Sequence, residues 1–207
     1  MSQAAKIAAA RTVLARAEMR AGIGDATGGG WPVPSALSGV VPPLRAGLVN
    51  VVGSLSVVLA LAGSASREGA WVAFVGMPWI GWEAARTHGI SFERLAHIPT
   101  PRGRDADVLA ALEDGFDVIV TGNIRINMRD ERVLHQRGRQ RGTTIIGTAW
   151  QTAKNVITAR VDTATGYDAG VGHLEEVRLT VQCGGVSVPC RITERGLLPG
   201  PELVAVP

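Results

Sequence analysis

Phe116-Asp117-Val118-Ile119-Val120-Thr121 is the stretch of sequence that decides the fold. Its apolar run predicts a strand that is buried on both faces, as the strands of parallel sheets are. An arginine-rich segment follows and predicts a helix over about Asp130 to Arg141. Thr143 to Gly147 then predicts the next strand. A strand, a helix and a strand in this order form the repeating unit of an α/β protein with a parallel sheet.

The same alternation precedes this unit. Strands are predicted at Leu48 to Val52, Trp71 to Val75 and Leu95 to Ile98, and helices at Ser54 to Ala62, Ile80 to Thr87 and Ala106 to Glu113. Short connections imply right-handed crossovers and a doubly wound sheet with helices on both faces. The chain is therefore predicted to be an α/β protein with a mostly parallel sheet.

The alternation of predicted strands and helices ends after Trp150. Further strands without intervening helices are predicted at Val156 to Val161, Val177 to Gln182 and Val186 to Ile192, with Gly184-Gly185 as a turn. These strands either extend the sheet in antiparallel fashion or form a small β appendage. Cys183 and Cys190 straddle the last predicted hairpin, which would allow the two thiols to face each other, and a pair of reduced, part-buried thiols is expected rather than a redox site.

The first 43 residues have a different character from the rest of the chain. Apolar residues at helical spacing predict an N-terminal helix within residues 1–21, and residues 22–43, rich in glycine and proline, predict a linker. The organisation is then a core over residues 44–183 and a C-terminal hairpin or tail over residues 184–207. Such a glycine- and proline-rich arm is of the kind that lets a terminal helix pack on a neighbouring chain.

Composition limits the class of protein. The chain has 207 residues, of which 46% are hydrophobic and 19% are charged, which excludes global disorder. No apolar run approaches the roughly 18 residues of a membrane span, and the first twenty residues lack the apolar core of a signal peptide. A globular protein of the cytoplasm, with no membrane contact, is expected.

The net charge of +3 is concentrated in one segment. Nineteen of the 21 basic residues are arginines, and six of them form a candidate surface for a partner or for DNA: Arg125, Arg129, Arg132, Arg137, Arg139 and Arg141. On a single helix, Arg125, Arg129 and Arg132 would share one face. The alternatives are a solvated helix face, a phosphate-binding stripe and a docking surface for an acidic partner.

The positions where an α/β nucleotide hydrolase carries its chemistry lack the required residues. The turn Gly53-Ser54 after the first strand has one glycine and no lysine, whereas a P-loop needs a glycine-rich loop and a lysine. Thr121 ends the fourth strand where an acidic residue would hold the metal, and the loop from Gly76 to Pro78 has no carboxylate to polarise water. The four histidines are scattered, without the spacing of a zinc site. No catalytic residue, cofactor site or metal site is predicted.

The order of segments resembles the RecA core. Trp71 to Gly76, then His88-Gly89-Ile90-Ser91-Phe92-Glu93-Arg94-Leu95, then Asp117-Val118-Ile119-Val120 follow that order. Between Leu44 and about Gln182 the chain resembles, more specifically, the ImuA′ family, the actinobacterial RecA-like accessory proteins of the mycobacterial mutasome. The resemblance implies a RecA-like, mostly parallel sheet flanked by helices, with an N-terminal helix, antiparallel C-terminal strands and degenerate nucleotide-binding motifs.

This resemblance also implies a function. The protein would be a non-catalytic scaffold in the SOS response, serving DNA repair by translesion synthesis and DNA-damage-induced mutagenesis. Its partner would be an ImuB-type adaptor, a Y-family polymerase-like protein that in turn serves an error-prone replicative-type polymerase, and residues 184–207 would contact that adaptor. Two alternatives stay open: a RecA-like protein that binds DNA, if only weakly, and a cell-division inhibitor of the SulA type. Self-association as a homo-oligomer is also left open.

Overall fold

The computed structural model describes residues 30–168 and 171–200, and this part of the chain contains one nine-stranded sheet. The strands lie in the order β3-β2-β4-β5-β1-β6-β7-β8-β9. They are β1 Gly47–Val52, β2 Val72–Val75, β3 Leu95–Ile98, β4 Val118–Thr121, β5 Thr144–Gly147, β6 Asn155–Asp168, β7 Val171–Cys183, β8 Val186–Thr193 and β9 Gly196–Pro199. The α-helices are α1 Leu55–Arg67, α2 Trp82–Thr87, α3 Asp105–Leu112 and α4 Met128–Arg141.

Strands β1 to β5 form the parallel half of the sheet, and helices cover both of its faces. Alternate residues of each strand therefore enter different cores. Val49, Val51 and Phe74 pack with α1 and α2 on one side, whereas Leu48, Ile119 and Ile145 pack with α3 and α4 on the other. Burial on both faces explains why these strands are almost continuously apolar.

The C-terminal strands extend the same sheet. Strand β6 pairs in parallel with β1, and β7, β8 and β9 follow as antiparallel neighbours. One face of this half buries Ile157, Ala159, Leu179, Val181 and Cys190 against the core. The predicted class, an α/β sheet that is mostly parallel, flanked by helices and completed by antiparallel C-terminal strands, is confirmed.

The described half of the predicted linker is packed against the core. Trp31 and Leu44 exchange two backbone hydrogen bonds of 2.8 Å, and a short 3-10 helix, Ser35–Leu37, lies between them. Leu37 and Val41 are fully buried among the core residues on the α1 side. Glycine and proline turn the chain here, and the few apolar residues between them fill the core. Residues 1–29, with the predicted N-terminal helix, and residues 201–207 lie outside the described residues.

The two cysteines do not face each other, so that expectation is wrong. Gly184 and Gly185 form the predicted turn, both with positive φ as a tight hairpin turn requires. This turn places Cys183 opposite Val186, whereas Cys190 pairs with Leu179. The thiols are therefore several residues apart along the hairpin, and burial raises the pKa of Cys190 to about 11.

Candidate functional site

The carboxyl ends of the parallel strands form the edge where α/β proteins bind ligands. At the centre of this edge, β1 ends at Val52 and α1 begins at Leu55, so only Gly53 and Ser54 connect them. Gly53 has a φ of +94°, and a Cβ at this position would collide with the carbonyl oxygen of Ala159 on β6. The hydroxyl oxygen of Ser54 accepts a hydrogen bond of 3.4 Å from the N–H of Val57 and caps the helix. This turn is closed by its own neighbours and offers no phosphate cradle.

The neighbouring strand ends are closed by Trp150. A Cβ at Gly147, where β5 ends, would collide with the indole nitrogen of Trp150 and with the hydroxyl of Thr121. Trp150 is buried, and its backbone N–H donates to the side-chain oxygen of Asn50 on β1 at 3.2 Å. The hydroxyl of Thr121 donates to the carbonyl oxygen of Ile146 at 3.3 Å. The side chains of Asn50 and Thr121, which lie at the strand ends, therefore form hydrogen bonds within this edge.

The charged residues within the connections at this edge have one sign, and we call it the cationic edge. The connections that leave the parallel strands, residues 53–54, 76–81, 99–104, 122–127 and 148–154, contain four charged residues, and all four are cationic: Arg102, Arg104, Arg125 and Lys154. A magnesium–ATP complex needs at least one carboxylate to hold the metal, as well as a loop of N–H groups for the phosphates. The residues at this edge do not fit such a complex.

The six arginines of the candidate surface do not share one helix face. Arg125 precedes α4, which begins at Met128 after Asn127 caps it by accepting a 2.9 Å hydrogen bond from the N–H of Asp130. The expectation that Arg125 continues the helical row is therefore wrong, because the Asn127 cap starts the helix three residues later than that row requires. The backbone N–H of Arg125 instead donates to Asp105 at 3.3 Å, which ties the loop to α3.

Arg137 and Arg141 point towards α3 and are paired within the molecule. The Nε of Arg137 lies 3.2 Å from an oxygen of Glu113, and its Nη2 lies 3.6 Å from Asp114. Arg141 lies 3.3 Å from the same oxygen of Asp114. The side chain of Glu113 is fully buried, and burial raises its pKa to about 7 despite the opposing attraction of Arg137. These two arginines hold α4 against the end of α3.

Arg129, Arg132 and Arg139 form a separate group, which we call the arginine face. They fall within about 80° of one another around the helix and span about 15 Å along it. All three are exposed, and none forms an ion pair with another described residue. Arg139 and Lys154 both lie near enough to His135 that their charges add to burial in lowering its pKa, and the Nδ1 of His135 accepts a 3.1 Å hydrogen bond from the N–H of Leu48. We call the arginine face together with the four cations of the edge the basic surface, since Arg139 of the one and Lys154 of the other both act on His135.

Glu131 is the functional-site residue that the sequence did not single out. Its carboxylate is buried and accepts hydrogen bonds of 2.9–3.0 Å from the backbone N–H groups of Gln151 and Thr152 and from the hydroxyl of Thr152. These bonds fix the loop after β5 against α4, and with it Trp150 and Lys154. Its sequence signal was weak, because an acidic residue in the first turn of a helix ordinarily compensates the helix dipole.

The two tryptophans at the edge have different environments. Trp82 packs edge-to-face against Phe74, Phe92 and His97, with ring centroids 4.8–6.2 Å apart. Trp79 is 62% exposed. Trp79 therefore offers the larger exposed aromatic surface of the two.

Residues 30–168 and 171–200 contain neither a candidate metal cluster nor a helix that could cross a membrane. Within these ranges, no three His, Cys, Asp or Glu side chains lie close enough together to hold a metal ion. The helices found there are also too short or too polar to cross a membrane.

Comparison with known proteins identifies the family. Residues 39–152 match the family model described as the MT3502 N-terminal domain, which covers more than half of the chain. The chain belongs to the MT3502 family. It is also 33% identical, over 159 residues, to the uncharacterized protein Rv3395c of Mycobacterium tuberculosis. That similarity covers 70% of this chain and 76% of the relative.

Among solved structures, the chain is similar to the ATPase DotB of Legionella pneumophila. The two share 13% sequence identity and superpose with a TM-score of 0.42 over 80% of this chain. The chain spans about half, 52%, of the DotB chain.

Proposed function

We propose that this member of the MT3502 family is a non-catalytic, RecA-like accessory protein of the mutasome. It would act in DNA-damage-induced mutagenesis and translesion synthesis in the cytoplasm by binding an ImuB-type adaptor. Through this adaptor it would serve an error-prone replicative-type polymerase. The observation that carries the proposal is the closed turn Gly53-Ser54, which replaces a phosphate-binding loop at the centre of an otherwise RecA-like sheet.

The distribution of charge supports a docking role. A scaffold needs a surface on a rigid body, and the arginine face lies on a helix that Glu131, Arg137 and Arg141 hold against its neighbours. Four further cations and the exposed Trp79 line the adjoining edge. Cations around an exposed aromatic are a composition that suits an acidic protein partner.

Direct binding tests the proposal. The purified full chain and the purified ImuB-type adaptor of the same genome are mixed and separated by size-exclusion chromatography. We expect co-elution, which the combined substitution of Arg129, Arg132 and Arg139 by Glu weakens and the single substitution Arg195→Glu leaves unchanged. If the folded, unsubstituted chain and the adaptor elute separately at micromolar concentrations, the proposal is wrong.

A calorimetric titration tests the non-catalytic part. With ATP and magnesium we expect neither binding heat nor phosphate release, because the turn Gly53-Ser54 has no lysine and the connections at this edge contain no carboxylate. Magnesium-dependent ATP hydrolysis by the pure chain, lost on substitution of Ser54, would show a divergent ATPase instead.

DNA binding is a second candidate function, which the arginine face favours because its three arginines form no ion pair with another described residue. A surface of this kind contacts phosphates without reading sequence, so the affinity would fall steeply with salt. Fluorescence anisotropy with single- and double-stranded oligonucleotides decides the question. Binding at 50 mM salt that disappears in the triple Arg→Glu variant would support DNA contact, and no binding at that salt would exclude it.

A further inference from the structure

A cavity of about 140 Å³ lies on the α1 side of the sheet, far from the strand ends described above. We call it the His88 cavity. It lies between the end of α1, the end of α2 and the β8–β9 turn. Arg67, Thr87, His88 and Arg195 bring polar side chains to it, and Pro34, Ala60, Gly196 and Leu197 complete the lining. Its volume is several times what a single water needs, so it has room for a small ligand.

Three glycines set the position of His88 in the wall of this cavity, two by close contact and one by a turn. Gly63 lets the chain at His88 lie directly on α1, since a Cβ there would collide with the carbonyl oxygen of His88. Gly89, with a φ of +97°, turns the chain out of α2. Gly196 brings the β8–β9 turn so near that a Cβ there would stand 3.3 Å from the Nδ1 of His88. The position of the imidazole is therefore fixed by backbone packing.

The imidazole has no protein partner in this fixed position. His88 is only 6% exposed, yet its ring makes no hydrogen bond to another described residue. Buried polar groups are as a rule paired with protein, with water or with a ligand. His88 lines the cavity, so a group bound there is in reach of the ring.

The two arginines of the cavity have different roles. The Nη1 of Arg67 donates a 2.6 Å hydrogen bond to the carbonyl oxygen of His88, so this side chain caps the end of a helix. Arg195 comes from the turn between two strands, where no helix end needs it, and its guanidinium forms no ion pair or hydrogen bond with another described residue. No Asp or Glu lines the cavity within the described chain. The charge of the cavity is therefore positive and uncompensated.

We propose that the His88 cavity binds a single phosphate group. Arg195 and the free nitrogens of Arg67 would donate charge-assisted hydrogen bonds to the phosphate oxygens, and His88 would donate one from its ring. The site joins elements that are more than a hundred residues apart in the chain, so a bound phosphate would fasten β8 and β9 to α1 and α2. This inference does not depend on the proposed function, because the cavity is separate from the basic surface.

Calorimetry on the full chain tests the site, with inorganic phosphate titrated against sodium chloride of equal ionic strength. We expect saturable phosphate binding that the variant Arg195→Gln weakens about tenfold or more, since a lost hydrogen bond to a charged group has about that effect. Arg195 is exposed and unpaired, so this variant keeps the fold, which a thermal unfolding curve verifies. The matched control Arg45→Gln removes an exposed arginine that belongs neither to the cavity nor to the basic surface, and it leaves the affinity unchanged.

Two further measurements sharpen the test. In NMR spectra, phosphate should shift the ring signals of His88 and leave those of His135 in place. A phosphomonoester such as AMP, compared with inorganic phosphate, distinguishes a phosphate carried by a metabolite from the free ion. Equal affinities of the unsubstituted chain and Arg195→Gln, or no binding at 10 mM phosphate, would overturn the proposal.

Discussion

Glu113 is the clearest case in which one residue sets a property of the whole fold. Its carboxyl is buried at the end of α3, and its pKa is raised to about 7 because burial outweighs the attraction of Arg137. The folded state therefore holds a proton that the unfolded state releases near pH 4.5. Stability from this group is complete below pH 4.5 and is lost as the pH rises to about 7.

The variant Glu113→Gln measures this effect. We expect it to be more stable than the unsubstituted protein at pH 8, by up to about 3 kcal/mol, since each unit of pKa is worth about 1.4 kcal/mol. The advantage should vanish below pH 4.5, where both forms are neutral. Urea unfolding followed by circular dichroism at both pH values checks the prediction. A variant that is less stable at pH 8 would show that the pair with Arg137 outweighs burial.

Glu131 illustrates a structural carboxylate of the opposite kind. Three donors from the loop after β5 converge on it, so its charge is satisfied where that of Glu113 is not. The variant Glu131→Ala should lower the free energy of unfolding by about 2–4 kcal/mol, because it leaves buried N–H groups without an acceptor. Urea unfolding checks this value.

The control Glu131→Gln keeps the size of the side chain and one acceptor oxygen, so its loss should be smaller. The fluorescence of Trp150, which the same loop positions, should change in the alanine variant. An alanine variant within 0.5 kcal/mol of the unsubstituted protein would contradict the assigned role.

At the residue scale, a single sequence shows which motif residues are present, but not which residues meet in the fold. The absent lysine and carboxylates at Gly53-Ser54 and Thr121 are visible in a single sequence, because a motif fixes their positions. Glu131 and His88 carry no motif, and their roles depend on burial and on contacts with residues at least 20 positions away. Such roles follow only from tertiary structure.

At the scale of elements, α4 has two arginine sides with different functions. Its inner side carries Leu134 and Gly138 into the core, one flank carries Arg137 and Arg141 to α3, and the arginine face points outwards. The positive charge of α4 was predictable from the sequence. The division of its arginines into a paired group and an exposed group was not, because spacing alone does not tell which side of the helix meets a neighbouring helix.

Substitutions on the two sides of α4 should separate stability from binding. Arg137→Ala should destabilise the protein by about 1–2 kcal/mol at pH 8, the loss being moderated by solvent screening of the partly exposed guanidinium. Replacing Arg129, Arg132 and Arg139 together by Gln should change stability by no more than about 0.5 kcal/mol and reduce adaptor or DNA binding. Thermal unfolding and anisotropy, run on both variants, check the two halves.

The prediction fails if the stability effects are reversed. A triple variant that unfolds as early as Arg137→Ala would mean that the arginine face has partners within the molecule.

Element bounds were predicted closely where a terminal residue has its own chemistry. Ser54 caps α1 and Gly184-Gly185 turns the last hairpin, as the sequence indicates. The helix α2 is shorter than predicted, because Pro78 to Gly81 form a loop before Trp82. The β6–β7 hairpin is longer than predicted, because its outer residues are exposed and lack the apolar alternation that predicts a strand.

At the scale of the whole molecule, the sheet is one continuous structure. The alternation of elements predicted its parallel half, but strand order and the position of β8 and β9 depend on long-range pairing that one sequence does not determine. The same holds for residues 30–44, whose apolar side chains enter the core although their composition is that of a linker. Cys190 of β8 packs against the carbonyl of Ala36 in this segment, so the two ends of the described chain stabilise each other.

Two truncations test this continuity. A chain that ends at Gly184 loses β8 and β9 and uncovers Leu179 and Val181, so we expect it to unfold at a much lower temperature or to aggregate. A chain that ends at Gly200 keeps all nine described strands and should unfold within a few degrees of the full chain. Thermal unfolding followed by circular dichroism compares the three proteins.

The unfolding temperatures of the three proteins also determine how a loss of adaptor binding is interpreted. Residues 184–207 are the segment expected to contact the adaptor, yet residues 186–199 are part of the sheet. Loss of binding in the shorter truncation would therefore report lost structure, whereas loss in the chain ending at Gly200 would place the contact in residues 201–207. If the chain ending at Gly184 unfolds at the same temperature as the full chain, β8 and β9 form an appendage, and the sheet is not one cooperative unit.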